Sequence, residues 1–344
     1  MFYYNNVIIM KKAFVFSFLA FICLTVNSQT GYSLVYDDEF DGTTLDMTKW
    51  SIQVGYAANQ EKEYYTDGTN NIRVENGNLI ISAKKENYVV DRNYSSGRVY
   101  SKSKGFIKYG KAEARISVPS GAGTWPAFWM MPQSSVYGTW PKSGEIDIME
   151  HIGSNPRMTS HAVHTALKNG SIGNNWFTKV YQDSMENKFH IYSIQWDPDQ
   201  ILFFIDNVQT ATLYRNFTDT STGWPFNQDF YVILNLAIGG TMGGTVDDAI
   251  FTNPVEMKVD YVRLYQLNTA VNELKENNIS VYPTKFTDEI TVKTDNPTEV
   301  KLYNSLGELI FEKKIAGDKK INTSSFLNGI YLLKTNNYCT KLLK

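Results

Sequence analysis

The chain of 344 residues predicts an all-β fold of the sandwich type, and three observations point to it. Its apolar residues recur with the two-residue alternation of strands rather than the period of roughly 3.6 residues that marks helices. Gly- and Asn-rich turns divide these runs at short intervals. Aromatic residues make up 14% of the chain, which suits either a sandwich core or a surface that stacks on flat apolar faces. Net charge is −2, so there is no basic field to hold nucleic acid or anionic lipid. Two cysteines exclude a disulfide scaffold and a Cys-based zinc module. At about 150 residues per domain, the length allows two domains.

The N-terminal element reads as a targeting segment. Lys11 and Lys12 precede an uncharged run from Ala13 to Val26, followed by the polar Asn27-Ser28-Gln29. That run is too short to span a bilayer and has the length of a signal-peptide core. Residues 1–28 are therefore expected to be a signal peptide, with Met10 as an alternative start and no integral membrane span. A lipoprotein reading at Cys23 is disfavoured by the bulky Phe21-Ile22 before it. Cleavage near Ser28 would leave Cys339 as the one cysteine.

Residues 30–267 form the expected main domain. Strand-like runs cover Asn78–Ala83, Lys111–Val118, Ile191–Trp196, Ile201–Asp206, Phe230–Ala237 and Met257–Tyr265. Strands this numerous without intervening helices argue for one sandwich. Residues 268–278, polar and free of aromatics, read as a linker. Beyond it, residues 279–344 carry five short apolar-alternating runs, parted by turns such as Asp295-Asn296-Pro297 and Asn328-Gly329. These indicate a small second β module. A glycan-binding role for it is disfavoured by the absence of Trp from this region.

The most informative segment is Gly144-Glu145-Ile146-Asp147-Ile148-Met149-Glu150. On an ideal strand Glu145 and Asp147 share one face while Glu150 falls on the other. A bulge near Met149 would return Glu150 to the face of Glu145, and bulges are frequent beside active sites. The two Glu backbones would then stand about 13 Å apart. Inward-leaning side chains bring the carboxylates towards the gap of about 5–5.5 Å that a retaining glycosidase uses. Asp147, one methylene shorter, fits between them. Three clustered carboxylates also push their pKa values apart, so that one stays protonated while another is ionised. A Ca²⁺ or structural carboxylate cluster is the other reading of these acids. Hard-cation sites, however, draw ligands from Gly- and Asn-rich loops rather than from Ile-rich strand.

The run Glu-Ile-Asp-Ile-Met-Glu resembles the active-site signature of glycoside hydrolase family 16 in its bulged form. The likeness extends through Tyr109–Arg115, Trp125–Met130, Phe189–Trp196, Ile233–Gly240 and Val259–Arg263, and the chain is similar to the laminarinase-like β-1,3-glucanases of that family. It implies a concanavalin-like β-jelly roll with a polysaccharide-binding cleft. Within that cleft it implies Glu145 as nucleophile, Asp147 as its electrostatic partner and Glu150 as acid/base. Trp125, Trp129 and Trp140 are expected to line the cleft as sugar-stacking residues, and Asn59, Arg98 and His164 as polar contacts. The resemblance implies no catalytic cofactor. It does imply one structural Ca²⁺ far from the cleft, bound largely by backbone oxygens, with Glu39, Gly77 and Asp260 in the matching segments. The expected partner is a β-glucan, cleaved by a monomer. A mixed-linkage β-1,3-1,4-glucanase, a galactanase of the agarase or carrageenase type, and a non-catalytic sugar-binding jelly roll stand as alternatives.

Two departures bear on specificity. The family's Gly-Gly-Asn-Trp reads Gly239-Gly240-Thr241-Met242 here, and its Asn-Asn-Glu-Leu-Gln turn reads Asn59-Gln60-Glu61-Lys62-Glu63. His161-x-x-His164 has the look of a metal pair, but a spacing of three along a strand puts the two rings on opposite faces. The C-terminal module resembles the type IX secretion sorting domain, through Tyr282-Pro283, Val300–Gly307 and Leu327–Leu333. That resemblance implies a small β-sandwich and a type IX secretion machinery as partner, with secretion or cell-surface display as the outcome.

Overall fold

The computed structural model describes residues 31–216, 218–268, 279–304, 307–335 and 339–344. The expected signal peptide and positions 269–278 of the expected linker lie outside these. The chain divides into two compact units between Leu267 and Asn268.

The first unit is built almost wholly of strands, in two sheets. The eight-stranded sheet runs in the order Trp176–Tyr181, Met158–His164, Glu145–His151, Thr124–Pro132, Phe230–Ile238, Arg98–Tyr100, Ser51–Ile52, with Phe106–Ile107 also pairing to Phe230–Ile238. The ten-stranded sheet is centred on Phe189–Trp196, Gly110–Ser117, Val255–Leu267 and Asn78–Val89. Each run foreseen in this unit lies within or overlaps an observed strand. The alternation explains why: Ala112, Ala114 and Ile116 of one sheet pack into the same core as Phe128, Met130, Ile146, Val232, Leu234 and Leu236 of the other. Among the described residues no helix is long and apolar enough to cross a membrane.

Three strands position the acids, and it is convenient to name them. The acid strand, Glu145–His151, lies between the tryptophan strand, Thr124–Pro132, and the histidine strand, Met158–His164, and is antiparallel to both. Entry to the acid strand is made by Gly144, whose φ of 86° lies in the left-handed region. A Cβ on Gly144 would come within 2.9 Å of both Phe226 Cε1 and Pro225 Cγ.

The second unit has its own core of Val281, Phe286, Ile290, Val292, Val300, Leu302, Ile315, Ile321, Tyr331, Leu333 and Leu342, wrapped by one five-stranded sheet. Two expectations are corrected here. The turn at Asp295-Asn296-Pro297 does not end a strand, because Glu289–Asn304 runs through it. Its register against Leu309–Asn322 shifts between Thr294 and Thr298, and the three intervening residues are exposed. The proline thus sits in an outward bulge, where its missing N–H costs no ladder bond. Cys339–Leu343, which was not foreseen, forms the last strand and pairs with Ile330–Lys334.

Gly144→Ala would combine a positive φ with contacts closer than side chains allow, at a cost of about 1–3 kcal/mol. The expected outcome is a melting temperature lower by several degrees in scanning calorimetry. An unchanged melting curve would show that the entry to the acid strand tolerates an L side chain.

Candidate active site

The acids reach one face because of a single extra residue. Against the tryptophan strand, Phe128 pairs with Met149 and Trp129 with Asp147, so Ile148 is skipped. Against the histidine strand, Asp147 pairs with Ala162 and Glu150 with Ser160. Ile146, Ile148 and Met149 then all enter the hydrophobic core, and Glu145, Asp147 and Glu150 line a cleft of about 900 Å³. The bulge foreseen near Met149 is thus present, with Ile148 as the inserted residue.

The same cleft is lined by Asn59, Arg98, Trp125, Trp129, Trp140 and His164, so every residue foreseen as catalytic or sugar-contacting faces one space. Their surroundings differ. Trp140 is 42% exposed, and its indole N–H donates to Glu145 Oε2. Trp125 is only 8% exposed, and its N–H donates to Glu150 Oε1 at 3.1 Å. Arg98 lies over the Trp129 ring, 4.6 Å from its centre, so a sugar has one free face of that ring at most. His164 Nδ1 accepts from the Gly170 N–H at 3.0 Å, which places the proton of a neutral ring on Nε2. That nitrogen stands 3.2 Å from Asp147 Oδ2.

The electrostatics follow from burial and crowding. Burial, and next the charge of Asp147, pushes Glu145 up to about 8. Burial, and next the charge of Glu145, pushes Glu150 up to about 7. Asp147 is held well above the usual carboxylate range, by burial and by Glu150. Like charges in one low-dielectric pocket cannot all ionise, so the cluster as a whole gives up its protons at higher pH than isolated carboxyl groups would. The indole donors at Glu145 and Glu150 favour the ionised forms of those two.

A floor of hydrogen bonds that sequence reasoning missed supports this arrangement. Trp129 Nε1 donates to Asn235 Oδ1 at 2.8 Å. Asn235 Nδ2 donates to the Tyr65 hydroxyl at 3.1 Å, which donates to Glu61 Oε2 at 2.9 Å. Glu63, fully buried behind, accepts from the Ile238 N–H at 2.7 Å. Asn235 had a legible signal, being the one polar residue in the apolar run Phe230–Ile238. Glu61 and Glu63 carried no such signal, standing in a polar segment, Asn59–Glu63. Thr241 and Met242 also line the cleft, where the family pattern carries a tryptophan.

The acids matched to a structural Ca²⁺ are otherwise engaged. Glu39 holds the Arg263 guanidinium with both oxygens, at 2.7 and 2.8 Å, and Asp260 pairs with Arg115 at 2.7 Å. Gly77 sits in the turn between Ile72–Glu75 and Asn78–Val89 with a φ of 71°. As side-chain donors these residues do not make a cation cage. Among the described residues, the donors close enough to hold an ion are Glu145, Asp147 and His164, within 4.8 Å of one another. His161, by contrast, is buried and lies on the core face away from His164, stacked on Phe203. His151 is likewise buried, bonded to the Met158 carbonyl at 2.8 Å.

Comparison with known proteins gives a concordant result. The model for glycosyl hydrolases family 16 matches residues 59–263, and that for a secretion system C-terminal sorting domain matches residues 280–344. A beta-glucanase from Rhodothermus marinus is 41% identical over 251 residues, covering 68% of this chain and 85% of that protein. The solved laminarinase from Rhodothermus marinus superposes with a TM-score of 0.65 at 40% identity, covering 68% of this chain and 97% of that one. The laminarinase from Flavobacterium sp. UMI-01 does so with a TM-score of 0.62 at 39% identity, covering 68% and 100%. With its bulged acid strand set in a jelly-roll cleft, the chain belongs to glycosyl hydrolases family 16.

Proposed function

We propose that the protein is a secreted, retaining endo-glycosidase that cleaves internal β-1,3 bonds of laminarin-type glucans by double displacement. The observation that carries this reading is the rephased acid strand, which sets three carboxyl groups with different partners on one wall of an open cleft. Relatives named as β-glucanase and laminarinase support the substrate class.

In the first step a Glu145 oxygen attacks the anomeric carbon. The glycosidic C–O bond breaks, and the leaving oxygen takes the proton of Glu150. In the second, Glu150 accepts a proton from water as the water oxygen attacks the same carbon, and the bond to Glu145 breaks. Asp147, hydrogen-bonded to Glu145, takes up the proton the two share, so that the nucleophile attacks in its ionised form. His164 Nε2 faces Asp147 Oδ2 at 3.2 Å. An elevated Glu150 pKa is what a proton donor working near neutrality requires. Trp140, and the open face of Trp129, supply stacking surface to the sugar rings. A Ca²⁺ near Glu39, Gly77 and Asp260 would need main-chain oxygens as ligands, since guanidinium groups neutralise both carboxylates. The C-terminal unit is read as the address for type IX export, after which the enzyme is released or displayed on the cell surface.

Five outcomes are expected. On a panel of laminarin, lichenan, agarose and carrageenan, reducing sugar should be released fastest from laminarin. Glu145→Gln should lower that rate by about a thousandfold or more with the melting temperature kept; near-wild-type turnover would sink the mechanism. In pH–rate profiles kcat/KM should fall above about pH 7, as Glu150 loses its proton. Because the Trp125 N–H favours ionised Glu150, Trp125→Phe should move that alkaline limb to higher pH; a shift to lower pH would contradict the assignment. Finally, deletion of residues 279–344 should abolish appearance of the enzyme outside the cell, measured by fractionation, while laminarin cleavage persists in lysates.

A further inference from the structure

The bulge that rephases the acids has a second consequence, on the core side of the sheet. Opposite Ile148 and Met149 the histidine strand offers only one residue, His161, because its neighbours Ala162 and Ser160 already pair with Asp147 and Glu150. A bulge takes main-chain groups off the ladder, and a buried carbonyl left without a donor is destabilising. Here the donor is a side chain. His161 Nδ1 lies 2.6 Å from the Ile148 carbonyl oxygen, and since a carbonyl only accepts, Nδ1 carries the proton. Burial lowers the His161 pKa to about 4, so the ring is neutral and Nε2 is the acceptor. Thr210 Oγ1 meets it at 2.9 Å and also lies 3.2 Å from the Phe203 carbonyl, so its one hydroxyl proton is shared between two acceptors. Thr210 belongs to Val208–Tyr214, in the ten-stranded sheet. The inserted residue of the acid strand is thereby tied across the core to the opposite layer, with the imidazole stacked on Phe203 at 4.8 Å.

We propose that His161 is a positioning residue: its Nδ1–H, kept in that tautomer by Thr210, clamps the bulged Ile148 carbonyl and so sets the spacing of Glu150 from Glu145 and Asp147. This rests on the reading of those three acids as the reacting set. His161 itself faces the core and touches no substrate. Without the clamp the bulge can slide along the strand, and a shift near 1 Å in carboxylate spacing costs up to about a hundredfold in rate.

The test compares the full-length wild type with His161→Phe, His161→Asn and Thr210→Val on laminarin. Phenylalanine keeps a ring against Phe203 and removes the donor. Asparagine removes the ring and keeps an N–H at the position of Nδ1. The expected result is a kcat about tenfold to a hundredfold lower in His161→Phe at unchanged KM, with a displaced alkaline limb. His161→Asn should recover most of kcat although its melting temperature falls. A kcat that simply follows melting temperature across the variants, or a wild-type kcat and pH profile in His161→Phe, would overturn the proposal. If His161→Phe does not fold, Thr210→Val decides: lower kcat at constant KM supports the clamp, and wild-type kinetics overturn it. Absence of laminarin cleavage in the wild type would instead overturn the glucanase reading, and this proposal with it.

Discussion

A β-strand presents every second side chain to a given face, and this protein needs three acids on one face at positions 145, 147 and 150. Regular strand geometry cannot provide that. One inserted residue, Ile148, supplies the missing half-period, and the cleft depends on it. Two adjacent apolar side chains, Ile148 and Met149, can both turn inward because the core has room for both. The hydrophobic effect therefore stabilises the same irregularity that the site requires.

Once the carboxyl groups are gathered, the surrounding donors determine how they differ. Glu145 and Glu150 each receive an indole N–H, while Asp147 faces an imidazole nitrogen. In an open aqueous site these contacts would matter little. In a partly buried floor they differentiate three otherwise similar acids, because the energy of a charge there depends on its nearest dipoles. Trp125 and Trp140 thus combine two roles in one side chain, an apolar wall and a polar handle on an acid.

Much of the fold was legible because sandwich strands obey a local rule. The alternation in Lys111–Ile116 and the apolar run Phe230–Ala237, interrupted only at Asn235, needed no knowledge of their partners. The acid segment was legible for the opposite reason: its charges break the alternation, and only a bulge reconciles them with an Ile-rich strand. Legibility failed where one residue had two local meanings. Asp295-Asn296-Pro297 reads as a turn, yet an exposed bulge in a long strand accommodates the same residues.

By itself the sequence determined the periodicity, hence the sandwich, the two-unit organisation and the identity of the acid set, because these depend on neighbours a few residues apart. Tertiary structure alone decided what each acid touches. Asn235 reaches Tyr65 across 170 positions, and His161 reaches Thr210 across 49. No local pattern encodes such pairs, since sheet order brings them together only after the strands have registered. The three acids of the cleft could therefore be named from the chain, whereas the network that holds them in register emerges only with the packed sheets.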